Sequence, residues 1–339
     1  MKVRTVLVPL TMPLLLAACF GSSSSSGGSS WRNFTSFENI NPNQRIQFQS
    51  GGGSVNYAAD FGAPDPRLGD ITNEDARLRV RFSEEVDDGD GGTEFFVDSV
   101  ELSVNLPNGD RIVRQFDGDE RDELGDGIVE LTAFELDGDG EKVLVDGDPV
   151  VTDRLYVQDL ENPEYEYMTF GLWELGLDTA ERNIGGGAFG ALTRVSGTDA
   201  MPTIGVATYD GELIGYQVQA NSTTVYVADS TLEANFATPA VTFSSSGTRR
   251  LDDGAAAPNL NIAASTGTIT GNTFGGNVSL EGTDCCSGEF GGAFFGPEAA
   301  EAGGWFEVTN INPAEGFEDN LNDRYFGSFG GARGEIAEP

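Results

Sequence analysis

The chain's pattern predicts an all-β fold, antiparallel rather than parallel. Three observations point there. Short segments alternate apolar and polar residues with a period of two. Glycine is abundant, 46 of 339 residues, while long apolar helical patterns are few. No long crossover helix separates one strand-sized segment from the next, as a parallel sheet would require.

The first segment is not part of that fold. Lys2 and Arg4 precede an apolar stretch, residues 6–16, broken by Pro9 and Pro13. It is too short for a stop-transfer helix and reads as the core of a signal peptide. Leu16-Ala17-Ala18-Cys19 resembles the bacterial lipobox, which implies cleavage before Cys19 and acylation of that residue, palmitate included. Several acyl chains anchor firmly because each buried CH₂ contributes roughly 0.8 kcal/mol. An ordinary signal peptide with an accidental cysteine is the alternative. Against it, residues 21–30 are Gly and Ser only, a flexible tether with a reach on the order of 18 Å. Phe20 stands where an Asp is associated with inner-membrane retention, so the expected location is the outer membrane, facing the surface.

Residues 31–70 look irregular, with short apolar clusters around Val55, Tyr57 and Phe61. Alternation then begins. Leu78, Val80 and Phe82 face one way and Arg77, Arg79 and Arg81 the other; Leu102, Val104 and Leu106 repeat the pattern. Pro107-Asn108-Gly109-Asp110 turns the chain into residues 111–116, so these two strands form a hairpin. The arginine face is expected to pair across strands with carboxylates such as Glu101.

Acidic residues crowd residues 84–148, 22 Asp and Glu against 4 Lys and Arg. Asp-Gly runs recur at 87–90, 117–119, 137–141 and 146–148. Calcium needs clustered oxygens of this kind, which makes Asp137, Asp139 and Glu141 a candidate calcium site. The competing reading is a set of solvated hairpin loops, favoured because EF-hand and nonapeptide-repeat patterns are absent. In the second half charge thins out, and Leu232, Ala234 and Phe236, then Leu260 and Ile262, mark further strands of an antiparallel barrel. Cys285 and Cys286 are adjacent in a polar loop, residues 283–288. In an oxidising compartment they form either a strained vicinal disulfide that pins a turn, the favoured reading, or a redox-labile or intermolecular bridge.

Composition excludes several functions. A net charge of −36 opposes nucleic acid and close contact with anionic lipid. The absence of histidine removes His-based triads and His-ligated zinc or haem. No P-loop, HExxH or nucleophile-elbow pattern supports an enzyme.

Three motifs carry a family resemblance. Residues 165–175 read YEYMTFGLWEL, residues 201–211 read MPTIGVATYDG with Ile214-Gly215-Tyr216 behind them, and residues 291–306 read GGAFFGPEAAEAGGWF. In this order and spacing they resemble the β-barrel domain of transferrin-binding protein B and related surface lipoproteins. The resemblance covers roughly 164–334 and implies a soluble antiparallel eight-stranded β-barrel over 161–339. An acidic, β-rich handle-like domain would occupy 31–160, after the signal peptide at 1–18 and the tether at 19–30. It also implies a non-catalytic display module for a macromolecular or solute ligand, in nutrient or metal acquisition, working beside an outer-membrane transport partner. No ligand-binding residue carries over, because the family's contacts lie on variable loops. In the last motif, Pro297 suits the first turn of a short helix over 298–302, Gly303-Gly304 ends it, and Glu298 and Glu301 read as solvated. Gly205, Tyr209 and Gly211 read as barrel geometry. Two other functions compete. An integral outer-membrane barrel lacks a lipid-facing apolar band with aromatic girdles, and an acidic-residue hydrolase lacks a singled-out carboxylate pair.

Overall fold

The computed structural model of the chain describes residues 31–41, 43–60, 76–86, 93–105, 110–179, 181–219, 222–282, 286–309, 311 and 324–336. The first twelve strands are β1 (Arg32–Asn33), β2 (Arg45–Asp60), β3 (Arg77–Val86), β4 (Thr93–Asn105), β5 (Arg111–Asp117), β6 (Arg121–Gly125), β7 (Ile128–Phe134), β8 (Leu144–Val145), β9 (Asp148–Pro149), β10 (Val151–Gln158), β11 (Met168–Leu175) and β12 (Glu181–Gly190). Eight more follow: β13 (Val206–Gln219), β14 (Ser222–Asn235), β15 (Ala240–Arg250), β16 (Ser265–Thr270), β17 (Thr273–Ser279), β18 (Ser287–Phe295), β19 (Glu301–Thr309) and β20 (Arg324–Arg333).

Strands β5-β4-β3-β2-β12-β11-β10-β7-β6, with β1 beside β2, make a ten-stranded sheet, and β13 to β20 close an eight-stranded barrel in chain order. Strand β20 pairs back onto β13 from Tyr209↔Arg333 to Val218↔Arg324, so the barrel has no free edge. Both parts are antiparallel, as the short connections and the alternation predict; β1 with β2 is the parallel exception.

Where alternation was legible, the strands follow it. Leu78, Val80, Phe82, Leu102 and Val104 are buried, and β4 forms a hairpin with β5 in the register Ser99↔Asp117 to Asn105↔Arg111. Arg79 pairs with Glu101 at 2.7 Å, the cross-strand partnership expected, and Arg81 with Asp98 at 3.2 Å. Leu106, the turn residues 107–109, Phe61 and the run at 87–90 lie outside the described residues.

Three expectations are corrected. Residues 45–60, which look irregular, form the long strand β2. Its pattern is hidden by Gly51-Gly52-Gly53, which interrupts the apolar alternation; Gly52 and Gly53 sit at positive φ, 73° and 91°. Leu260 and Ile262 do not belong to a strand. Pro258 opens a single 3-10 turn, Pro258–Leu260, and Ile262 makes one isolated bridge to Leu280, though both side chains reach the barrel core. The barrel begins at Val206, not at 161, because β11 and β12 are strands of the sheet. Residues 168–175 are buried at every position, the mark of a strand covered on both faces.

The burial falls into three layers. One face of the sheet curls around its own core, including Phe48, Val80, Leu102, Phe116, Leu155 and Trp173. The barrel encloses a second core rich in phenylalanine, including Phe243, Phe274, Phe290, Phe294, Phe306 and Phe329. Between them lies a seam, where Met168, Phe170 and Leu172 of β11 meet Phe295, Trp305 and Phe326 on the outer wall of the barrel. Successive residues of β11 thus serve different cores: 168, 170 and 172 the seam, and 173 and 175 the sheet. Glycine permits this contact. A methyl carbon on Gly330 would stand 2.2 Å from Met168 Cε, and one on Gly303 would stand 2.7 Å from Met168 Sδ.

Candidate binding surface at the sheet–barrel junction

The chain passes from sheet to barrel through residues 191–205. Seven large apolar side chains are exposed among the described residues, and three lie on this segment: Leu192 (37%), Val195 (62%) and Ile204 (65%). Exposed aliphatic side chains grouped on one short segment mark a contact surface better than the same residues scattered singly. Two clefts flank it. One, about 410 Å³, runs between Phe34, Tyr167, Leu192 and Pro297; the other, about 440 Å³, between Met201, Ile204, Glu298 and Ile336. Asp199 lines both.

Local chemistry holds this segment in place. Thr193 Oγ1 donates to the Gly296 carbonyl at 2.7 Å, and Asn272 Nδ2 donates to the Thr193 carbonyl at 2.6 Å. Leu192 bridges Phe295, and Arg194 bridges Ala200. The Glu298 amide donates to the Asp199 carbonyl at 3.0 Å. Asp199, Glu298 and Ala299 all occupy the left-handed region, with φ of 59°, 51° and 56°. Non-glycine residues held there store roughly 1–3 kcal/mol of strain each, which persists only where the surroundings over-determine it. Tyr209, buried in the barrel core as expected, supplies one constraint by donating its hydroxyl to the Ala299 carbonyl at 2.8 Å. The walls therefore combine rigid backbone with apolar side chains. Asp199 and Glu298 are the carboxylates lining the second cleft, and both are exposed.

The residues 296–302 differ from the predicted short helix. A 3-10 turn covers Pro297–Ala299, and Glu301 already begins β19. Glu298 is solvated as expected, but Glu301 is 5% exposed. Its two carboxylate oxygens accept the amides of Glu166 at 2.6 Å and Tyr167 at 2.9 Å, tying the barrel to the chain that leads into β11. Burial pushes its carboxyl up to about 7, against the opposing pull of those amides. In β19, Glu301, Gly303 and Trp305 share one face of the strand, the face turned away from Ala302, Phe306 and Val308.

The other candidate residues lie elsewhere. Cys19 and Cys285 are outside the described residues. Cys286 is buried in the barrel core, 3% exposed. Asp137, Asp139 and Glu141 share an exposed loop, but one oxygen of Asp137 already accepts the amides of Asp139 at 2.9 Å and Glu141 at 3.0 Å. That hydrogen bonding closes a turn. No group of three or more metal-ligating side chains is gathered among the described residues.

Comparison with known proteins bears on the barrel. Residues 201–333 match the family model of the C-lobe and N-lobe beta barrels of Tf-binding protein B, a range that coincides with β13 to β20 and the end of the junction segment. The barrel is of the transferrin-binding protein B type, as the motifs at 201–216 and 291–306 imply. The motif at 165–175 lies before the matched range and, in the structure, in the sheet. Among solved structures, HpuA from Kingella denitrificans in complex with human haemoglobin is 16% identical, with 85% of this chain and 89% of that one covered and a TM-score of 0.41. A mutant of Transferrin Binding Protein B from Haemophilus parasuis is 12% identical over 85% and 76%, TM-score 0.38. The N-lobe domain of Lactoferrin Binding Protein B of Moraxella bovis is 14% identical over 53% and 79%, TM-score 0.31. No curated protein sequence matches the chain.

Proposed function

We propose that this transferrin-binding-protein-B-like chain is a non-catalytic surface lipoprotein. In this reading it is held at the outer membrane by lipid on Cys19 and captures a protein ligand with the junction segment 191–205. The supporting observation is the coincidence of a family-type barrel with an exposed, rigidly held apolar segment at its entrance. A binding surface gains from such rigidity, because less freedom is lost on association. The matched family is named for transferrin binding, and the structural neighbours are a haemoglobin-bound HpuA and a lactoferrin-binding protein. An iron-carrying protein is therefore the ligand class to test first, with an outer-membrane transporter as the receiving partner.

The barrel interior argues against the integral-membrane alternative. Transmembrane barrels turn apolar residues outward and polar ones inward. Here the interior is packed with phenylalanine, and among the described residues no large exposed apolar side chain lies on β13 to β20. A hydrolase would need paired carboxylates facing a cleft with one of them buried enough to hold a proton, whereas Asp199 and Glu298 in the second cleft are both exposed. Of the four described glutamates whose carboxyl burial raises, three meet structural partners: Glu130 with Arg154 at 3.0 Å, Glu174 with Arg182 at 3.1 Å, and Glu301 with the Glu166 and Tyr167 amides.

The test is direct binding of the purified chain to transferrin, lactoferrin and haemoglobin by interferometry. One of them should bind, and Val195→Asp with Ile204→Asp should weaken it at least about tenfold, the cost of burying charge in a contact. The capture reading fails if none binds, or if the aspartate variants bind as well as the wild type.

A further inference from the structure

The outward face of β2–β5 is unlike the rest of this acidic molecule. Ile46, Phe48, Leu78 and Val80 point into the sheet's core, so Arg45, Arg77, Arg79 and Arg81 project from the opposite side. Arg111 joins them from β5. Five of the 19 basic residues thus share one sheet face in a chain that carries 55 acidic ones.

The pairing on this face is incomplete. Arg79 and Arg81 have Glu101 and Asp98, but Arg45 and Arg77 form no ion pair among the described residues. Arg45 stands directly opposite Arg81 in the β2–β3 register. Like charges placed directly across a ladder destabilise it, so a face that keeps such a pair is arranged for an anion from outside. Trp31 lies against the same face, with the Arg79 guanidinium 5.1 Å and the Arg45 guanidinium 5.9 Å from its ring centroid. A shallow cleft of about 190 Å³ opens between Trp31, Arg45, Arg81 and Glu101. Trp31 is also the residue at which the Gly/Ser tether ends, a tether whose reach is roughly 18 Å.

We propose that this arginine–tryptophan face docks onto the anionic headgroups of the membrane that holds the Cys19 anchor. The inference rests on the lipoprotein reading above and adds an orientation to it. Tryptophan and arginine are side chains that settle at headgroup level, and arginines near an anionic surface are drawn to it. The molecule as a whole, at a net charge of −36, is repelled from the same surface. Attraction on one face and repulsion on the others turn the sheet toward the bilayer.

The experiment separates the face from the anchor. The mature chain with Cys19→Ser is sedimented with vesicles of phosphatidylcholine alone or mixed with phosphatidylglycerol, at an ionic strength of about 0.02 M. The anionic vesicles should bind at least about tenfold more protein, and about 0.5 M salt should abolish the difference. The combination Arg45→Ser, Arg77→Ser and Arg81→Ser should remove it, while Lys142→Ser, Arg249→Ser and Arg250→Ser, equal in charge but on other surfaces, should leave it. Thermal melting of both combinations checks that they fold. Equal binding to both vesicle types overturns the proposal. So does equal loss in both combinations, or binding to a polyglutamate column without binding to vesicles. Acylated wild-type chain on phosphatidylcholine vesicles reports on the anchor alone: its release there overturns the lipoprotein reading, whatever the arginines do.

Discussion

The barrel interior and the seam outside it both bury aromatic rings, but in different ways. Inside, rings meet rings: Phe243 stacks on Phe329 at 4.1 Å and lies 5.3 Å from Phe290. At the seam, apolar contact is threaded with directed polar bonds. Trp305 Nε1 donates to the Gly52 carbonyl at 3.1 Å, the Tyr165 hydroxyl to the Gly330 carbonyl at 3.2 Å, and Glu301 receives two amides. Stacked rings supply stability with little directional preference. Hydrogen bonds to fixed backbone atoms specify one placement, since a displaced seam would leave buried polar groups unpaired. The barrel core thus makes the barrel, and the seam sets where the sheet sits on it.

The largest expected effect is in the interior. Phe243→Ala removes the ring at the centre of the stack and should cost about 3–5 kcal/mol, read from urea unfolding. Tryptophan fluorescence should report the loss too, because Trp305 lies on the barrel's outer wall and unfolds with it. An effect below about 1 kcal/mol would mean that the interior is not what holds the barrel closed.

The next effect belongs to the seam and depends on pH. Burial raises the Glu301 carboxyl from 4.5 to about 7. Between those values the folded chain keeps a proton that the unfolded chain has released, so stability falls as pH rises, and the slope ends above the folded pKa. The same sign holds for Glu212, also pushed up to about 7, by burial and then by Glu164 and Asp126. For Glu301, with Glu166 as its nearest like charge, the loss is on the order of 3 kcal/mol between about pH 4.5 and 7. Glu301→Gln should flatten the slope in melts across that range and keep the seam closed. Glu301→Ala should destabilise at every pH, because the Glu166 and Tyr167 amides lose their acceptor. A Gln variant that retains the wild-type slope would remove Glu301 as its source.

The same contrast explains what the sequence made legible. Strands with one wet face declare themselves by alternation, as β3 and β4 do through Leu78, Val80 and Leu102. The barrel motif at 291–306 was legible because Gly-Gly pairs and adjacent aromatic residues flank the Gly296-Pro297 turn on both sides. Strands buried on both faces lose the period-two signal. Strand β11 reads as a mostly apolar motif without strict alternation, so its family likeness assigned it to the barrel although its hydrogen bonds run to β10 and β12. Glu301 looked solvated for a related reason: its partners are backbone amides 135 and 134 residues away, and no side-chain pattern encodes them. The junction segment carries aliphatic residues without periodicity, and only the closed barrel and the pinned 296–299 turn show that Val195 and Ile204 are left outside.

The smallest effect is the most discriminating. Ser328 lies on β20 opposite Trp305 of β19, fully buried, and its Oγ donates to the Gly171 carbonyl of β11 at 2.9 Å. Ser328→Ala removes one neutral hydrogen bond and almost no volume, so global stability should fall by only about 1 kcal/mol. Its location matters more than its size. If the seam is an independent layer, exchange of the β11 amides should quicken while those of β15, on the far side of the Phe243 stack, keep their protection. Equal acceleration in β11 and β15 would show that the two layers open together. The seam would then be part of the barrel's own cooperative unit rather than the element that positions the sheet on it.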